Sequence, residues 1–308
     1  MLLMGCGNDD GSNLTPYDTT IQAFLSQNNI AATRTSSGLY YRSVSIDTAT
    51  QSTISNGQVV SVYYDLLDLE GNVIASHQRA DGDSLQFKVG ANAVYPVGLN
   101  EAALLMTEGD TYSFIIPPPI GYETTGSAII ADESIVQIDL TIVDVQQEDS
   151  VNLNEIERIQ TYITDNDLNN TTANPVDPVE YNEATGLFYK RTLAGTGNLP
   201  TTGDLINMDY TASYLATNDV IETQSNFTFT FGSSQPRPVL TGIELGIAEM
   251  QEGETALILL PSSIAYRESA LVIPASISSD LAAIGIIPDY VTRIRPYSPL
   301  IFALTRND

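Results

Sequence analysis

Apolar residues along this chain follow two spacings in alternation, and the whole alternation runs through twice. Ile21, Phe24 and Leu25 fall on one side of a helix, which predicts a helix over residues 17–29. Residues 7–16 are polar and predict a disordered tether, and Ala31 to Ser37 reads as linker. From Gln58 the apolar spacing becomes every second residue. Val60, Val62, Tyr64 and Leu66 then share one face of a strand, and Leu69-Glu70-Gly71-Asn72 reads as a hairpin turn. A short strand is expected from Leu85 to Val89, ending at Gly90. Leu99, Ala103 and Met106 return to helical spacing and make one stripe of a short helix. Thr111 to Ile116 is a strand stopped by Pro117-Pro118-Pro119, because proline has no N–H for a ladder. Val136, Ile138, Leu140 and Ile142 alternate along a long last strand.

The second pass repeats that order. Ile156, Ile159, Tyr162 and Ile163 predict a helix over Asp149–Asp167, followed by a Pro- and Asn-containing linker over 169–182. Ile206, Met208 and Tyr210 share a strand face, as do Phe227, Phe229 and Phe231. Ile243, Ile247 and Met250 form the helix stripe, and Leu300, Phe302 and Leu304 lie on the last strand. Arg267 to Tyr297 is an insertion with no counterpart of that length in the first pass.

The two passes also match residue by residue. Ile21-Gln-Ala-Phe-Leu corresponds to Ile159-Gln-Thr-Tyr-Ile, and Gly38-Leu-Tyr-Tyr-Arg to Gly186-Leu-Phe-Tyr-Lys. From Gly98 to Gly242 and from Tyr122 to Tyr266 the shift is the same 144 residues. A period that long indicates two complete domains and not a solenoid. The expected fold class is α+β: two tandem domains, each a curved, mostly antiparallel sheet of about five strands around a short helix, and each preceded by a further helix. The boundaries expected are a tether over 1–16, helix and linker over 17–37, domain 1 over 38–147, helix and linker over 148–183, and domain 2 over 184–308. Each domain, having its own stripe and strands, is expected to fold alone.

Composition narrows the partners. The chain has 38 acidic and 12 basic residues and a formal charge of −26. Nucleic acid is excluded as a partner, because phosphate binding needs clustered Lys and Arg. No five acidic residues run together, so the acidity reads as solubility and not as a functional patch. No apolar run approaches 18 residues, so no transmembrane helix is expected. Cys6 is the only cysteine. Leu3-Met4-Gly5-Cys6 resembles a bacterial lipobox, the apolar and small residues that precede a lipidated cysteine, and Gly7-Asn8-Asp9-Asp10 begins a polar tether. Only five residues precede Cys6, which points to a start further upstream. The alternative is an arbitrary cysteine in a disordered tail. His77 is the only histidine and is read as a loop residue, so histidine metal chemistry is not expected. Asp165-Asn-Asp167-Leu-Asn169 begins like a calcium loop and fails at Asn170, where glycine is needed, and at Val176, where glutamate is needed.

The ordered motifs of the second pass resemble the FKBP family of peptidyl-prolyl cis-trans isomerases. They are Asp209-Tyr210-Thr211, Ile221-Glu222, Phe227-Thr-Phe229-Thr-Phe231-Gly232, Val239-Leu240-Thr241-Gly242, Met250-Gln-Glu-Gly253-Glu254, Leu260-Pro261, Ala265-Tyr266, Ile287-Pro288 and Ile301-Phe302. The resemblance covers residues 186–308 and, more weakly, 38–147. It implies catalytic side chains at Tyr210, Glu222, Tyr266 and Phe302, and a substrate pocket of Ile221, Phe227, Val239, Leu240 and Ile243. Ile243 would be the floor, where relatives usually carry a tryptophan that this chain lacks. Glu222 replaces the usual aspartate and Ile221 a phenylalanine. The matching positions of domain 1 are Tyr64, Ile74, Ala75, Leu85, Val94, Tyr95, Leu99, Tyr122 and Ile138. Ala75 removes the acid and Ile138 an aromatic wall, so domain 1 is expected to be the degenerate copy. Taken singly, these aromatics are read as packing; taken together, those of domain 2 are read as a pocket.

Such a site needs no metal, nucleophile or cofactor. An X-Pro amide turns slowly because resonance stiffens its C–N bond, and an apolar cavity that strips water from the amide favours the less dipolar, twisted form. The first functional reading is a lipid-anchored isomerase of the bacterial cell envelope, at the outer membrane and on its periplasmic or surface face, acting on proline-containing, exported polypeptide clients. The lipobox, helices and polar linkers also look like lipid-anchored isomerases of gliding, double-membraned bacteria, which implies protein-secretion or gliding machinery as partners. The second reading is a binding module that holds a client without efficient catalysis. The third is a structural surface lipoprotein.

Overall fold

The computed structural model describes residues 15–48, 52–169, 177–233, 239–267 and 269–307. In chain order the elements are α1 (Pro16–Gln27), β1 (Thr33–Arg34), β2 (Tyr40–Ser45), β3 (Gln58–Leu67), β4 (Val73–His77), β5 (Leu85–Lys88), β6 (Val94–Tyr95), α2 (Gly98–Leu104), β7 (Thr111–Ile116) and β8 (Val136–Gln147). The second half adds α3 (Glu148–Asp165), β9 (Glu180–Asn182), β10 (Leu187–Leu193), β11 (Leu205–Tyr214), β12 (Val220–Thr230), α4 (Thr241–Ala248), β13 (Thr255–Leu260), β14 (Leu271–Val272), α5 (Ser278–Ala283) and β15 (Leu300–Arg306). Single helical turns fill several loops.

Each domain is one antiparallel sheet. The first has the order β1-β2-β7-β8-β3-β4, with β5 also on β3, and the second β12-β11-β15-β13-β10-β9. The alternating residues of β3 (Val60, Val62, Tyr64, Leu66) all enter the core of domain 1. There they meet the helical stripe of α2: Leu99, Ala103 and Met106 are all fully buried. Burying each large apolar side chain stabilises by about 1.5–3 kcal/mol. Domain 2 repeats this with Ile243, Ile247 and Met250 against Ile258, Phe302 and Leu304. The glycine in the first turn of each helix is explained by close approach: a Cβ on Gly98 would lie 3.0 Å from the Ile120 carbonyl oxygen, and one on Gly242 2.6 Å from Leu260.

The helices before the domains are not spacers. Helix α1 lays Ile21 and Leu25 on Tyr40 and Ile115, on the outer face of the first sheet. Its start is fixed by a reciprocal cap between Thr15 and Asp18. Asp18 also receives Arg34 Nε–H at 2.7 Å and the Tyr40 hydroxyl at 3.0 Å. Helix α3 does the same for domain 2, with Ile159 and Ile163 on Phe188, Leu259 and Ile301. Its buried Glu155 accepts the Ser262 N–H at 2.7 Å. At its other end Val151 packs with Val59 and Tyr297, and Lys88 pairs with Glu148 at 2.6 Å. Helix α3 therefore touches both domains.

Three expectations change. The 169–182 linker ends in a strand, β9, which pairs with Leu187–Tyr189. His77 is not in a loop; it ends β4 opposite Tyr64 and stacks on Tyr63, with ring centroids 5.7 Å apart. The largest change concerns the cores. The Arg267–Tyr297 insertion of domain 2 is built into domain 1: Leu271, Ile273, Ile277, Leu281, Ile287 and Val291 are buried in domain 1's hydrophobic cluster. Strand β14 pairs in parallel with β6, Leu271 opposite Val94. The peptide bonds before Pro96 and Pro274 are cis. The repeat predicts two self-contained cores, whereas domain 1's core is completed by a distant segment whose Leu271 follows its strand partner Val94 by 177 residues, and for which no periodicity exists to be read.

Candidate active site

The concave side of the second sheet supplies the walls of one cavity. Alternation along β11 turns Met208, Tyr210 and Ala212 toward the same side, and the register of β15 sets Phe302 opposite Ala212. Strand β12 contributes Ile221, Glu222 and Phe227, the stretch entering α4 contributes Val239 and Leu240, and Ile243 rises from the first turn of α4. Tyr266 follows the turn after β13. These side chains enclose a cavity of about 530 Å³, so all nine expected domain 2 positions converge on one space. Tyr210 is its aromatic hub, edge-on to Phe227 at 5.9 Å and 6.0 Å from Phe302 between ring centroids.

The polar groups of the cavity are few and differ in their state. The Tyr210 hydroxyl donates to Glu222 Oε1 at 3.2 Å. Glu222 is held further by Gln224 at 2.7 Å and by Arg293 at 3.5 Å. Burial, and then the Glu222 carboxylate, push the Tyr210 hydroxyl well above its ordinary pKa. Burial and the same carboxylate also raise Tyr266. Both phenols are therefore protonated donors at neutral pH. Tyr210 spends its proton on Glu222, whereas the Tyr266 hydroxyl has no hydrogen-bond partner among the described residues. The arrangement is an apolar box with the Tyr266 O–H donor at its edge. It can desolvate a planar amide and offer its carbonyl a hydrogen bond from Tyr266.

Sequence reasoning missed part of the lining. Met208, Ala212 and Leu300 stand two residues from Tyr210 or Phe302, and strand alternation would have found them. Arg267, Tyr290 and Ile294 come from the insertion, where no pattern marks them. Tyr290 packs its ring 5.2 Å from that of Tyr266.

The matching positions of domain 1 are also brought together, but as packed core. Tyr64, Val94, Leu99, Tyr122 and Ile138 are buried in one cluster, with Ile74, Ala75, Leu85 and Tyr95 packed against it. Burial pushes Tyr64 and Tyr95 up to about 12 and Tyr122 well above its ordinary value. The Tyr122 hydroxyl donates to the carbonyl of Ile273, from the insertion. Cys6 lies outside the described residues. Among the described residues no cluster of His, Cys, Asp and Glu could hold a metal ion, and no helix is long and apolar enough to cross a membrane.

Residues 50–143 and 197–305 match the family model for FKBP-type peptidyl-prolyl cis-trans isomerase, together more than half of the chain. No curated protein matches. Among solved structures, the three FKBP domains of wheat FKBP73 align at 16% identity over 89% of this chain and 95% of that one, with a TM-score of 0.33. FkpA from Escherichia coli aligns at 20% identity over 42% of this chain and 59% of its own, with a TM-score of 0.36. AtFKBP13 aligns at 21% identity over 37% of this chain and 98% of its own, with a TM-score of 0.33.

Proposed function

The chain belongs to the FKBP-type peptidyl-prolyl cis-trans isomerase family, and from that premise we propose that domain 2 is its working isomerase site, serving exported proteins at the bacterial cell envelope. The observation that supports this is the convergence of all nine positions on one open apolar cavity, with a Tyr266 hydroxyl that has no partner among the described residues. Rotation about an X-Pro bond must cross a barrier of about 18–20 kcal/mol, because the planar amide is stabilised by resonance and by water around its dipole. Tyr210, Phe227 and Phe302 strip that water. Tyr266 is placed to hydrogen-bond a client carbonyl, which fixes one side of the turning bond. Glu222 and Arg293 hold Tyr210 and act as positioning residues. A second reading, a holding module of little catalytic power, is favoured by Ile243, a small floor where relatives carry a tryptophan. A proline-limited refolding reaction separates the two: the intact chain should accelerate it, and absence of acceleration across several proline contexts would favour the holding module.

The envelope address rests on Leu3-Met4-Gly5-Cys6 and the polar residues after it. Lipid attachment through Cys6 would put the cavity on a tether at the outer membrane, on its periplasmic or outer face, where secretion or gliding machinery would be its neighbour. Stable anchoring takes two or more acyl chains. Expressed with its native upstream codons, the protein should fractionate with membranes and Cys6→Ala should release it. Equal solubility of the two forms would remove the anchor from the account.

A further inference from the structure

Domain 1 holds a peptide, and the peptide is part of domain 2. The insertion reaches across to β6 and runs beside it as a strand. Leu271 N–H donates to the Ala93 carbonyl at 2.9 Å, and Ile273 N–H to the Tyr95 carbonyl at 2.8 Å. The next residue is Pro274, itself buried. The carbonyl of Ile273, the residue before that proline, accepts the hydroxyl of Tyr122. Tyr122 is the repeat counterpart of Tyr266, 144 residues earlier. Ile273 is fully buried in the same cluster as Tyr64, Leu99 and Ile138, the counterparts of the walls and floor in domain 2. The place where domain 2 has a cavity is thus filled in domain 1 by an extended Leu-Val-Ile-Pro segment.

We propose that residues 271–274 are a tethered ligand of domain 1: its pocket is a proline-peptide receptor kept closed by a strap from its own neighbour. Recognition is of the kind an added strand gives, with main-chain bonds along β6 for affinity and one pocket for a side chain. The tether acts as a high local concentration, so an outside peptide of equal intrinsic affinity competes poorly. The strap has a second face. Val291 is buried in domain 1's cluster, while its neighbours Tyr290 and Ile294 line the cavity of domain 2 and Arg293 pairs with Glu222. Seating the strap in domain 1 therefore fixes one wall of the open cavity. The degenerate copy has a structural task, which is to hold that wall.

The test is binding, so it stands apart from whether domain 2 catalyses. The probe is a synthetic peptide with the sequence of residues 269–277, titrated calorimetrically into the full chain. The unaltered protein should take at most one equivalent, at domain 2. Ile273→Asp puts a carboxylate into a buried apolar cluster and should unseat the strap, and the peptide should then bind with one additional equivalent. Adding Tyr122→Phe should weaken that extra binding several-fold. A folded Ile273→Asp chain that gains no equivalent overturns the proposal. If this variant does not fold, Ile273→Ser serves in its place, and amide exchange on the unaltered chain gives an independent decision. The Leu271 and Ile273 N–H groups should exchange at least a hundredfold slower than in the free peptide. Exchange at the free-peptide rate would mean that the strap is not seated.

Discussion

Two tyrosines 144 residues apart carry the difference between the domains. The Tyr266 hydroxyl has no partner among the described residues and stands beside an open cavity, and Tyr122 spends its own hydroxyl on the Ile273 carbonyl. Removing the second hydroxyl leaves a buried carbonyl without its donor, so Tyr122→Phe should lower stability by about 1–3 kcal/mol, measured by denaturant unfolding. Phe302→Ala should reduce refolding acceleration by opening a wall to water. Phe302 is only 2% exposed, so part of the loss will be stability, about 3–5 kcal/mol, and unfolding must be measured beside activity. At this scale the sequence was informative. Alternation on β11 and β15 and the fixed order of motifs marked nine of the lining residues. Arg267, Tyr290 and Ile294 were illegible because they reach the cavity through tertiary packing of an irregular segment, and the strap's place in domain 1 is decided by contacts that no local spacing encodes.

The helices show what the pattern could and could not say about elements. Apolar spacing marked α1 and α3, but not the outer sheet faces they cover or the polar anchors that hold them. Those anchors respond to pH with opposite signs. Arg34, with the Thr15 and Tyr40 hydrogen bonds, holds the Asp18 carboxyl well below its ordinary value of 3.8 despite its burial. A lowered carboxyl stabilises the fold above its unfolded pKa and loses that contribution as pH falls below about 3.8. Glu155 is shifted upward, chiefly by burial and against the Ser262 N–H bond. Its contribution is fullest in acid and declines as pH rises above its ordinary 4.5 toward the folded value. Hydrogen exchange should therefore show α1 loosening below about pH 4 while the α3 contact to Ser262 persists. Asp18→Asn should remove the acid sensitivity of α1 and cost about 1.5–3 kcal/mol at neutral pH, since it replaces charge-assisted bonds. If α1 and α3 loosen together, the two carboxyls do not govern their helices.

Across the whole molecule, the tandem arrangement is closer to one interlocked body than to two beads. The 144-residue repeat made two domains legible, and the family match over 50–143 and 197–305 agrees with that organisation. It hid the interlock, because a repeat reports what two units share and the strap is what they do not share. A fragment ending within 169–182 lacks Leu271, Ile273, Ile277, Leu281, Ile287 and Val291 from domain 1's core. That fragment should melt below the intact chain and bind an apolar dye such as ANS, which the intact chain should not do. A fragment as stable and as dry as the intact protein would show that the strap adds little to domain 1.

If the cavity of domain 2 turns prolyl bonds, the rate of a proline-limited refolding reaction with catalytic amounts of the full chain reads it directly. The uncatalysed step takes about 10–100 s. The unaltered protein should shorten it in proportion to its concentration. Tyr266→Phe, which keeps the ring and removes one hydrogen bond worth about 0.5–1.5 kcal/mol, should lower the acceleration by about 2- to 12-fold with little change in stability. A folded, unaltered chain that leaves the refolding rate unchanged would overturn the isomerase function, and a Tyr266→Phe variant as active as the unaltered chain would overturn the role of its hydroxyl.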